Sequence, residues 1–282
     1  MQLSYALPFG LAVVVEILQA NLPQYAVSHL FDPATLAIFA VGCLQIPLVD
    51  FAASPTSDVM MVKMQERLAE GRTRAVLDIW HDTTWKLALL FVPLTAFVMA
   101  DAREIIVLLY TPRYLASVPI FLMWSVTILL TILQVDGVLR VFAETRLLLI
   151  LNLMRLAIIG GLLKFALSEF HLVGGAMVTV AATLLFKAVG LIRFKRLMQI
   201  GVSELLPWRA LGGLFVAAGS GVVAVLVVKE EVHLPSLPLI ALTGIVFTVI
   251  YVTLTWSLGL LKANERLAIV GWLRRARLVT EA

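Results

Sequence analysis

Long apolar runs separated by short polar connectors dominate the pattern of this chain. A transmembrane helix needs about 20 predominantly apolar residues. Eight runs approach or exceed that length: Leu3–Leu30, Ala34–Met61, Thr84–Met99, Leu115–Leu139, Leu147–Leu167, Val173–Ile192, Ala210–Val228 and Leu237–Leu261. The third run is the shortest and reaches a spanning length when residues 105–110 are added. The pattern predicts an all-α fold, a polytopic integral membrane helical bundle of about eight transmembrane helices.

The basic residues lie mostly on one side of the predicted bundle. Of the 22 lysines and arginines, 15 follow the even-numbered runs or lie in the C-terminal tail, and 4 lie in the opposite connectors. The remaining three, Lys86, Arg155 and Lys187, lie within runs. Because cytoplasmic connectors are enriched in lysine and arginine, we expect both chain termini to be cytoplasmic.

The composition agrees with a multi-pass membrane protein. Hydrophobic residues make up 61% of the chain, and the mean hydropathy is +0.99, which exceeds what an ordinary soluble domain needs. The net charge of +4 does not indicate nucleic-acid binding, because the cations flank predicted helices, where they contact anionic membrane lipids. We therefore expect membrane lipids, and no nucleic acid, among the partners.

The chain is expected to form a single transmembrane domain over residues 1–262, followed by a basic amphipathic cytoplasmic tail over residues 263–282. In the longest connector, residues 63–82, apolar positions recur at spacings near 3.6, which predicts an amphipathic helix on the cytoplasmic surface. Prolines in the first two runs, including Pro23 and Pro47, predict helix breaks that face protein or a polar cavity.

Motifs that carry catalysis or bind metals are absent from the sequence. The four histidines are not spaced as metal ligands, and the single cysteine, Cys43, excludes a cysteine cluster. Residues 219–224 match a dinucleotide fingerprint in letters, but they lie inside an apolar run with no preceding strand. Gly213, Ala217 and Gly221 instead form a small-residue stripe that predicts close helix packing. We expect no enzymatic activity and no organic cofactor.

Charged residues inside apolar runs are the strongest functional signal, because a charge deep in a bilayer is costly and usually faces a partner or a cavity. Arg155 lies roughly 13 Å into the fifth run at a rise of about 1.5 Å per residue, with Asn152 as its local polar neighbour. Glu16 and Asp50 are similarly deep. Two interpretations remain open: Arg155 binds an anionic substrate group, or it forms a structural ion pair with Glu16 or Asp50.

A second group of polar residues completes the predicted substrate path. Asp136, Arg140 and Glu144 are spaced i, i+4 and i+8, which predicts either an interfacial ion-pair ladder on one helix face or a funnel for an anionic headgroup. Lys187 lies about four turns into the sixth run, from where its side chain can extend to the cytoplasmic side. The candidate substrate-binding residues are Arg155, Asn152, Glu16, Asp50, Gln24, Asp136, Arg140 and Lys187.

Short segments in the N-terminal part of the chain carry a family resemblance: Ala6–Gly10, Leu30–Val41, Ala53–Pro55 and Leu108–Tyr114. Together they resemble the second half of bacterial polysaccharide flippases, the oligosaccharide-lipid exporters related to the MATE multidrug transporters. The chain departs from the family pattern at Ala37–Phe39 and at Thr111–Pro112. It also has Pro23–Gln24 where many relatives carry an Asp-Arg pair.

The resemblance implies a flippase that moves a polyprenyl-diphosphate-linked oligosaccharide across the cytoplasmic (inner) membrane of a bacterium for cell-surface polysaccharide biosynthesis. The diphosphate would contact Arg155. Glu16 or Asp50 would neutralise the charge of Arg155 or couple to a proton or sodium ion. Family members have two lobes, so we expect the chain to be a C-terminal fragment, or a half that needs a missing N-terminal lobe or a second copy.

Three alternatives remain open at this point. The first is a drug or ion antiporter of the same superfamily. The second is a membrane glycosyl- or acyltransferase, which should carry acidic or histidine residues in an exposed loop. The third is a non-transporting scaffold for a polysaccharide assembly complex.

Overall fold

The computed structural model describes residues 2–232 and 234–260, and their side chains from residue 10 onwards, apart from residue 12. Every regular element in these ranges is a helix, so the prediction of an all-α fold is confirmed. The predicted cytoplasmic tail, residues 263–282, lies outside the described residues.

Eleven α-helices and one short 3₁₀ helix follow one another along the described part of the chain. The 3₁₀ helix, Pro112–Ser117, leads directly into α6. The α-helices are α1 (Gln2–Leu30), α2 (Pro33–Gly42), α3 (Pro47–Ala69), α4 (Thr73–Ala100), α5 (Ala102–Leu109), α6 (Val118–Thr131), α7 (Val135–Val141), α8 (Thr145–Met198), α9 (Val202–Leu205), α10 (Trp208–Glu231) and α11 (Ser236–Ser257).

Five helical segments of the described residues are long and apolar enough to cross a membrane, and the number is six if the bent pair α2 and α3 counts as one span. These lengths and compositions indicate a membrane protein. The count is lower than the eight predicted spans, in part because two predicted spans lie on α8, which is counted once.

α8 contains the fifth and sixth predicted spans and folds back on itself between them. His171 has φ 51° and ψ −145°, a backbone conformation outside the helical region. A Cβ on Gly174 would collide with the carbonyl oxygen of Ala166, although in a continuous helix these residues would be about 12 Å apart. Residues 145–170 and 172–198 are therefore two arms that reverse direction at His171.

The start of α2 follows from a local capping signal. The Asp32 carboxylate accepts hydrogen bonds from the backbone N–H groups of Ala34 at 3.0 Å and Thr35 at 3.1 Å, and from the Thr35 hydroxyl at 2.5 Å. These bonds, led by the one from the Thr35 hydroxyl, lower the pKa of Asp32. Pro33 takes the first helical position, where no backbone N–H is needed. The chain therefore leaves α1 and enters α2 within two residues.

α2 and α3 are two parts of one apolar run, bent by 49° at their junction. Pro47 begins α3. It has no N–H to donate to the preceding turn, and it disfavours helical geometry in the residue before it. Pro55, by contrast, lies inside α3. The break places Gln45 on the wall of a polar cavity, which is the environment that proline breaks in an apolar run predict.

Residues 63–82 do not form a separate surface helix, so that prediction is wrong. α3 continues to Ala69, the chain turns at Gly71 with φ +73°, and α4 begins at Thr73. Val76 and Trp80 in this segment are fully buried. The apolar periodicity of the segment is the packing face of two helix ends rather than a lipid-facing surface.

A large apolar cluster fixes α3, α4, α7 and the second arm of α8 relative to one another. The Trp80 ring packs edge-on against Phe194 at 5.2 Å between centroids, and its indole N–H donates to the carbonyl of Leu205 at 2.8 Å. Met60 from α3 and Leu139 from α7 are buried in the same cluster. The cluster therefore also holds the polar residues of α3 and α7 that lie beside these apolar side chains in fixed positions.

The predicted small-residue stripe on α10 is confirmed as a packing face. A Cβ on Gly221 would lie 2.8 Å from the ring of Phe247 on α11, and one on Gly213 would lie 2.8 Å from Leu260. Ala217 between them is fully buried. The absence of side-chain bulk lets α10 and α11 approach closely.

Candidate functional site

Three adjoining cavities form a polar cleft between α1, α3, α6, α7 and α8, here named the central cleft. Their volumes are about 140, 260 and 300 Å³, and Thr131 lines all three. The two larger cavities also share Glu16, Asp136 and Lys187. Since neighbouring cavities share these side chains, a ligand in one of them would contact groups that also line the next.

The central cleft brings together six of the eight residues predicted from the sequence. They come from α1, α3, α7 and both arms of α8, and they are Glu16, Asp50, Asp136, Arg140, Arg155 and Lys187. Their common feature in the sequence is charge within an apolar run, or at the end of one. The geometry therefore groups the charges that a bilayer disfavours around one polar space.

Lys187 and Asp136 form an ion pair within the cleft. The Lys187 ammonium donates to Asp136 Oδ2 at 2.6 Å, and the two side chains are 13% and 35% exposed. The sequence interpretation did not anticipate Asp136 as the partner of Lys187. Burial beside a carboxylate on α7 holds the ammonium in the cleft, because the ion pair compensates the loss of hydration.

The ion-pair ladder that the sequence suggested does not extend to Glu144 on the same helix face. α7 ends at Val141, and Ala143 has φ 56°, so Glu144 does not lie on the same helix as Asp136. Glu144 instead binds Arg193 in the second arm of α8. Asp136 thus pairs with Lys187 and Glu144 with Arg193, both in the second arm of α8.

Arg155 lines the cleft without a direct ion-pair partner among the described residues. Its Nε is buried and has no hydrogen-bond partner there. The negative charges that act on its guanidinium are those of Asp136 and Glu16, yet neither carboxylate lies within the 4.0 Å of a salt bridge. The predicted structural pair with Glu16 or Asp50 is therefore not formed, and the guanidinium can bind an anion with two parallel hydrogen bonds.

Asn152 lies outside the cleft cavities and has a different partner from the one expected. It is 5% exposed. Its Oδ1 accepts a hydrogen bond from Gln19 Nε2 at 2.9 Å, and its Nδ2 donates to the carbonyl of Leu148 at 3.0 Å. Gln19 was missed from the sequence, although its position three residues after Glu16 is a helical spacing. The amide pair joins α1 to the first arm of α8 beside the cleft.

Gln24, the remaining predicted site residue, is exposed and lines none of the three cavities. Conversely, the sequence interpretation named Asp50 as a site residue but did not extend the site along the polar face of α3. Asp50, Ser54, Ser57 and Asp58 all line the 300 Å³ cavity. Their spacings of three and four residues were visible in the sequence as one helix face, and the serines add hydroxyl groups to the acidic wall.

Charge is unevenly distributed across the cleft. Glu16, Asp50 and Asp58 lie on α1 and α3, whereas the cations Arg140, Arg155 and Lys187 lie on α7 and α8 together with one carboxylate, Asp136. A ligand with an anionic group and several hydroxyl groups fits this arrangement, because guanidinium binds anions and carboxylates accept hydrogen bonds from hydroxyls. No group of three or more His, Cys, Asp or Glu side chains within residues 2–232 and 234–260 is placed to hold a metal ion.

Two larger cavities lie along α4, away from the central cleft. They measure about 670 and 750 Å³ and share Asp78 and Asp82. Asp82 forms an ion pair with Lys86 at 2.6 Å, between side chains that are about 40–50% exposed. Charged side chains from fewer helices line these two cavities than line the central cleft.

Comparison of the chain with protein-family models, with curated proteins and with solved structures gave no match. Function is therefore argued from the residues of the central cleft.

Proposed function

We propose that this chain is the lobe of a membrane transporter that moves a polyprenyl-diphosphate-linked oligosaccharide between the leaflets of a bacterial cytoplasmic membrane, for cell-surface polysaccharide biosynthesis. The observation that carries the proposal is Arg155: a guanidinium without a direct ion pair, with a buried Nε, on the wall of a polar cleft inside an apolar helical bundle. A desolvated arginine is suited to bind a diphosphate.

In this proposal the two ends of the substrate headgroup use different walls of the cleft. The diphosphate binds Arg155 and approaches Arg140, while Lys187 remains paired with Asp136 until substrate competes for it. The saccharide hydroxyls face Asp50 and the other polar groups of α3. The polyprenyl chain stays in the lipid, because the cleft wall is polar. Flipping then requires the cleft to face each side of the membrane in turn.

The proposed topology has eight membrane crossings with cytoplasmic termini. They are α1, the broken pair α2–α3, α4 with α5, α6 with α7, the two arms of α8, α10 and α11. The reversal at His171 supports two crossings by α8, and the 15-to-4 division of connector cations supports the orientation. Reporter fusions after Arg103 and after Arg196 should report opposite sides of the membrane, and the same side for both would refute it.

A second membrane domain is proposed to cover the open side of the cleft. Glu16, Asp50 and Asp58 are exposed on α1 and α3, and carboxylates at this depth cannot face hydrocarbon at low cost. The covering domain is either a separate N-terminal lobe or a second copy of this chain. Cross-linking between cysteines introduced near Asp58 would distinguish these cases, because a second copy gives a homodimer and a different lobe does not.

Binding to the purified chain in lipid nanodiscs tests the substrate proposal. The ligand is a polyprenyl diphosphate carrying a short oligosaccharide. The Arg155→Ala variant should raise Kd at least about tenfold, because lost charge-assisted hydrogen bonds are each worth about 1.5–3 kcal/mol. Arg146→Ala is the matched control, since Arg146 is exposed and lines none of the cleft cavities. Equal binding by wild type and Arg155→Ala would refute the proposal.

A drug or ion antiporter is the second candidate, and one observation favours it. The 300 Å³ cavity is lined by four carboxylates, Glu16, Asp50, Asp58 and Asp136, but by only two cations, Arg140 and Lys187. An acidic cavity favours a cationic ligand. Displacement of a fluorescent organic cation from the nanodiscs separates the two candidates. Binding of the cation that is lost in Asp50→Asn and kept in Arg155→Ala would favour the antiporter.

A further inference from the structure

A buried ionic cluster lies outside the central cleft, where α4 meets α5 and both pack against α10 and α11. Asp101 occupies the corner between α4 and α5 and is 0% exposed. Glu104 on α5, Lys229 in the last turn of α10 and Thr243 on α11 surround it. Lys229 and Glu104 are the charged groups of the described residues that act on Asp101.

Lys229, the cation of this cluster, lies closer to Glu104 than to Asp101. Lys229 Nζ lies 2.5 Å from Glu104 Oε2 and 2.9 Å from the carbonyl oxygen of Ala100, but 3.5 Å from Asp101 Oδ1. Lys229 therefore hydrogen-bonds Glu104 and Ala100, whereas its distance to Asp101 is that of an ion pair without a good hydrogen bond. Two carboxyl groups thus share one lysine, which hydrogen-bonds Glu104 and interacts with Asp101 only at a longer ion-pair distance.

The hydroxyl of Thr243 does not supply the missing compensation. It carries one hydrogen, and its oxygen lies 2.9 Å from the carbonyl of Leu239 but 3.2 Å from Asp101 Oδ1. If the hydroxyl donates to the nearer carbonyl, it can only accept from Asp101. The contact between Thr243 and Asp101 is then a hydrogen bond only if the carboxyl group of Asp101 is protonated and acts as the donor.

The other oxygen of Asp101 points to the same conclusion. Oδ2 is buried and has no hydrogen-bond partner among the described residues. An aspartate at the start of a helix usually accepts from the backbone N–H groups of the first turn, but Asp101 makes no such bond at the start of α5. A buried carboxylate oxygen without a partner is costly, whereas the carbonyl oxygen of a neutral acid is much less so.

We propose that Asp101 is a proton-binding site. While α11 is packed on the α4–α5 corner, the carboxyl group of Asp101 is neutral and donates a hydrogen bond to Thr243, and Lys229 binds mainly to Glu104. The ligand of this second site is a hydrogen ion. Separation of α11 from the corner would expose Asp101 to water and release the proton, so proton binding favours the packed arrangement. The site is independent of the substrate proposed for the central cleft.

Thermal unfolding of the full chain in detergent tests which acid depends on the lysine. Lys229→Met should lower Tm, because Glu104 loses its cation. Adding Glu104→Gln to Lys229→Met should restore most of the loss, whereas adding Asp101→Asn should restore none of it. Rescue by Asp101→Asn, rescue by neither change, or an unchanged Tm in Lys229→Met would each overturn the assignment.

Infrared spectroscopy of the same protein at neutral pH reports the proton directly. Asp101→Asn replaces a neutral acid by an isosteric amide, so its Tm should remain close to that of the wild type. Its difference spectrum should lose one protonated-carboxyl C=O band. Glu104→Gln is the matched control and should lose a carboxylate band instead. Loss of a carboxylate band in Asp101→Asn would show that Asp101 is ionised and would refute the proposal.

Discussion

Lys187 in the second arm of α8 binds Asp136 on α7, with Nζ 2.6 Å from Oδ2. Arg155 lies on the same cavity wall, and its guanidinium has no salt bridge among the described residues. The two deep cations of α8 therefore differ. Lys187 is neutralised by an acid of the protein, whereas Arg155 is available to an anion from outside.

The ion pair between Lys187 and Asp136 should stabilise the bundle. Lys187→Met should lower the free energy of unfolding by about 1–3 kcal/mol, less than for a fully buried pair because the carboxylate is partly solvated. Unfolding in a denaturing detergent measures the change. The double variant with Asp136→Leu should recover most of the loss, since it removes the uncompensated charge. A neutral single variant would contradict this prediction.

Arg155 should act in substrate recognition rather than in folding. In a fully assembled transporter, Arg155→Ala should abolish export without reducing membrane abundance, because no acid loses a direct partner. Arg155→Lys should rescue only partly, since lysine lacks the planar fork that binds two oxygens. Export and abundance are measured together, with Arg146→Ala as control. If Arg155→Ala instead lowers membrane abundance and the added Glu16→Gln change restores it, Arg155 is a structural residue.

The amide pair Gln19–Asn152 should hold α1 against α8. Gln19→Leu should cost about 1 kcal/mol of unfolding free energy, because it leaves the Asn152 amide without its interhelical partner. The double variant Gln19→Leu with Asn152→Leu should lose less unfolding free energy than the sum of the losses in the two single variants. Strictly additive losses in detergent-unfolding titrations would argue against coupling between the two amides.

Close packing of α10 on α11 should make Gly221 sensitive to the smallest substitution. Gly221→Ala places a methyl group 2.8 Å from the Phe247 ring, and such overpacking typically costs about 1–3 kcal/mol. Gly219 provides a matched control on the same helix, because a Cβ at Gly219 would have no atom within 4 Å. Gly219→Ala should be neutral or stabilise by about 0.5–1 kcal/mol. Equal Tm values for the two variants would contradict the packing.

The reversal at His171 should be relieved by glycine. A side chain at φ 51° and ψ −145° is strained by about 1–2 kcal/mol, and glycine is not. His171→Gly should therefore raise the Tm of the purified chain. His171→Ala keeps the strain and removes the imidazole, so its Tm should stay near that of the wild type. A gain in both variants would point to the imidazole rather than to the backbone.

Several features of the site could be predicted from single positions in the sequence. Arg155, Glu16 and Asp50 stand out because each is a charge inside an apolar run, where hydrocarbon excludes it. The stripe of Gly213 and Gly221 is similarly visible, since a spacing of four residues marks one helix face. These inferences need only the local helical geometry and the surrounding hydropathy.

Other features could not be predicted because they depend on which helices are neighbours. Asp136 and Glu144 looked like members of one helix face, yet the end of α7 at Val141 separates them. Residues 63–82 looked like a surface helix because burial and membrane-surface binding produce the same apolar periodicity. For residues 63–82 the local pattern was read correctly, but two tertiary arrangements share it.

The sequence by itself determined an all-helical fold with helices long and apolar enough to cross a membrane, and it showed which charges lie inside apolar runs, because both follow from apolar length and helical periodicity. The tertiary structure alone decided which charges are neutralised. The partners of Lys187 and Asn152 lie 51 and 133 residues away in the chain, on helices brought alongside by the reversal of α8 and the packing of α1. Ion pairing acts over a few ångströms in space, so the order of residues cannot specify it.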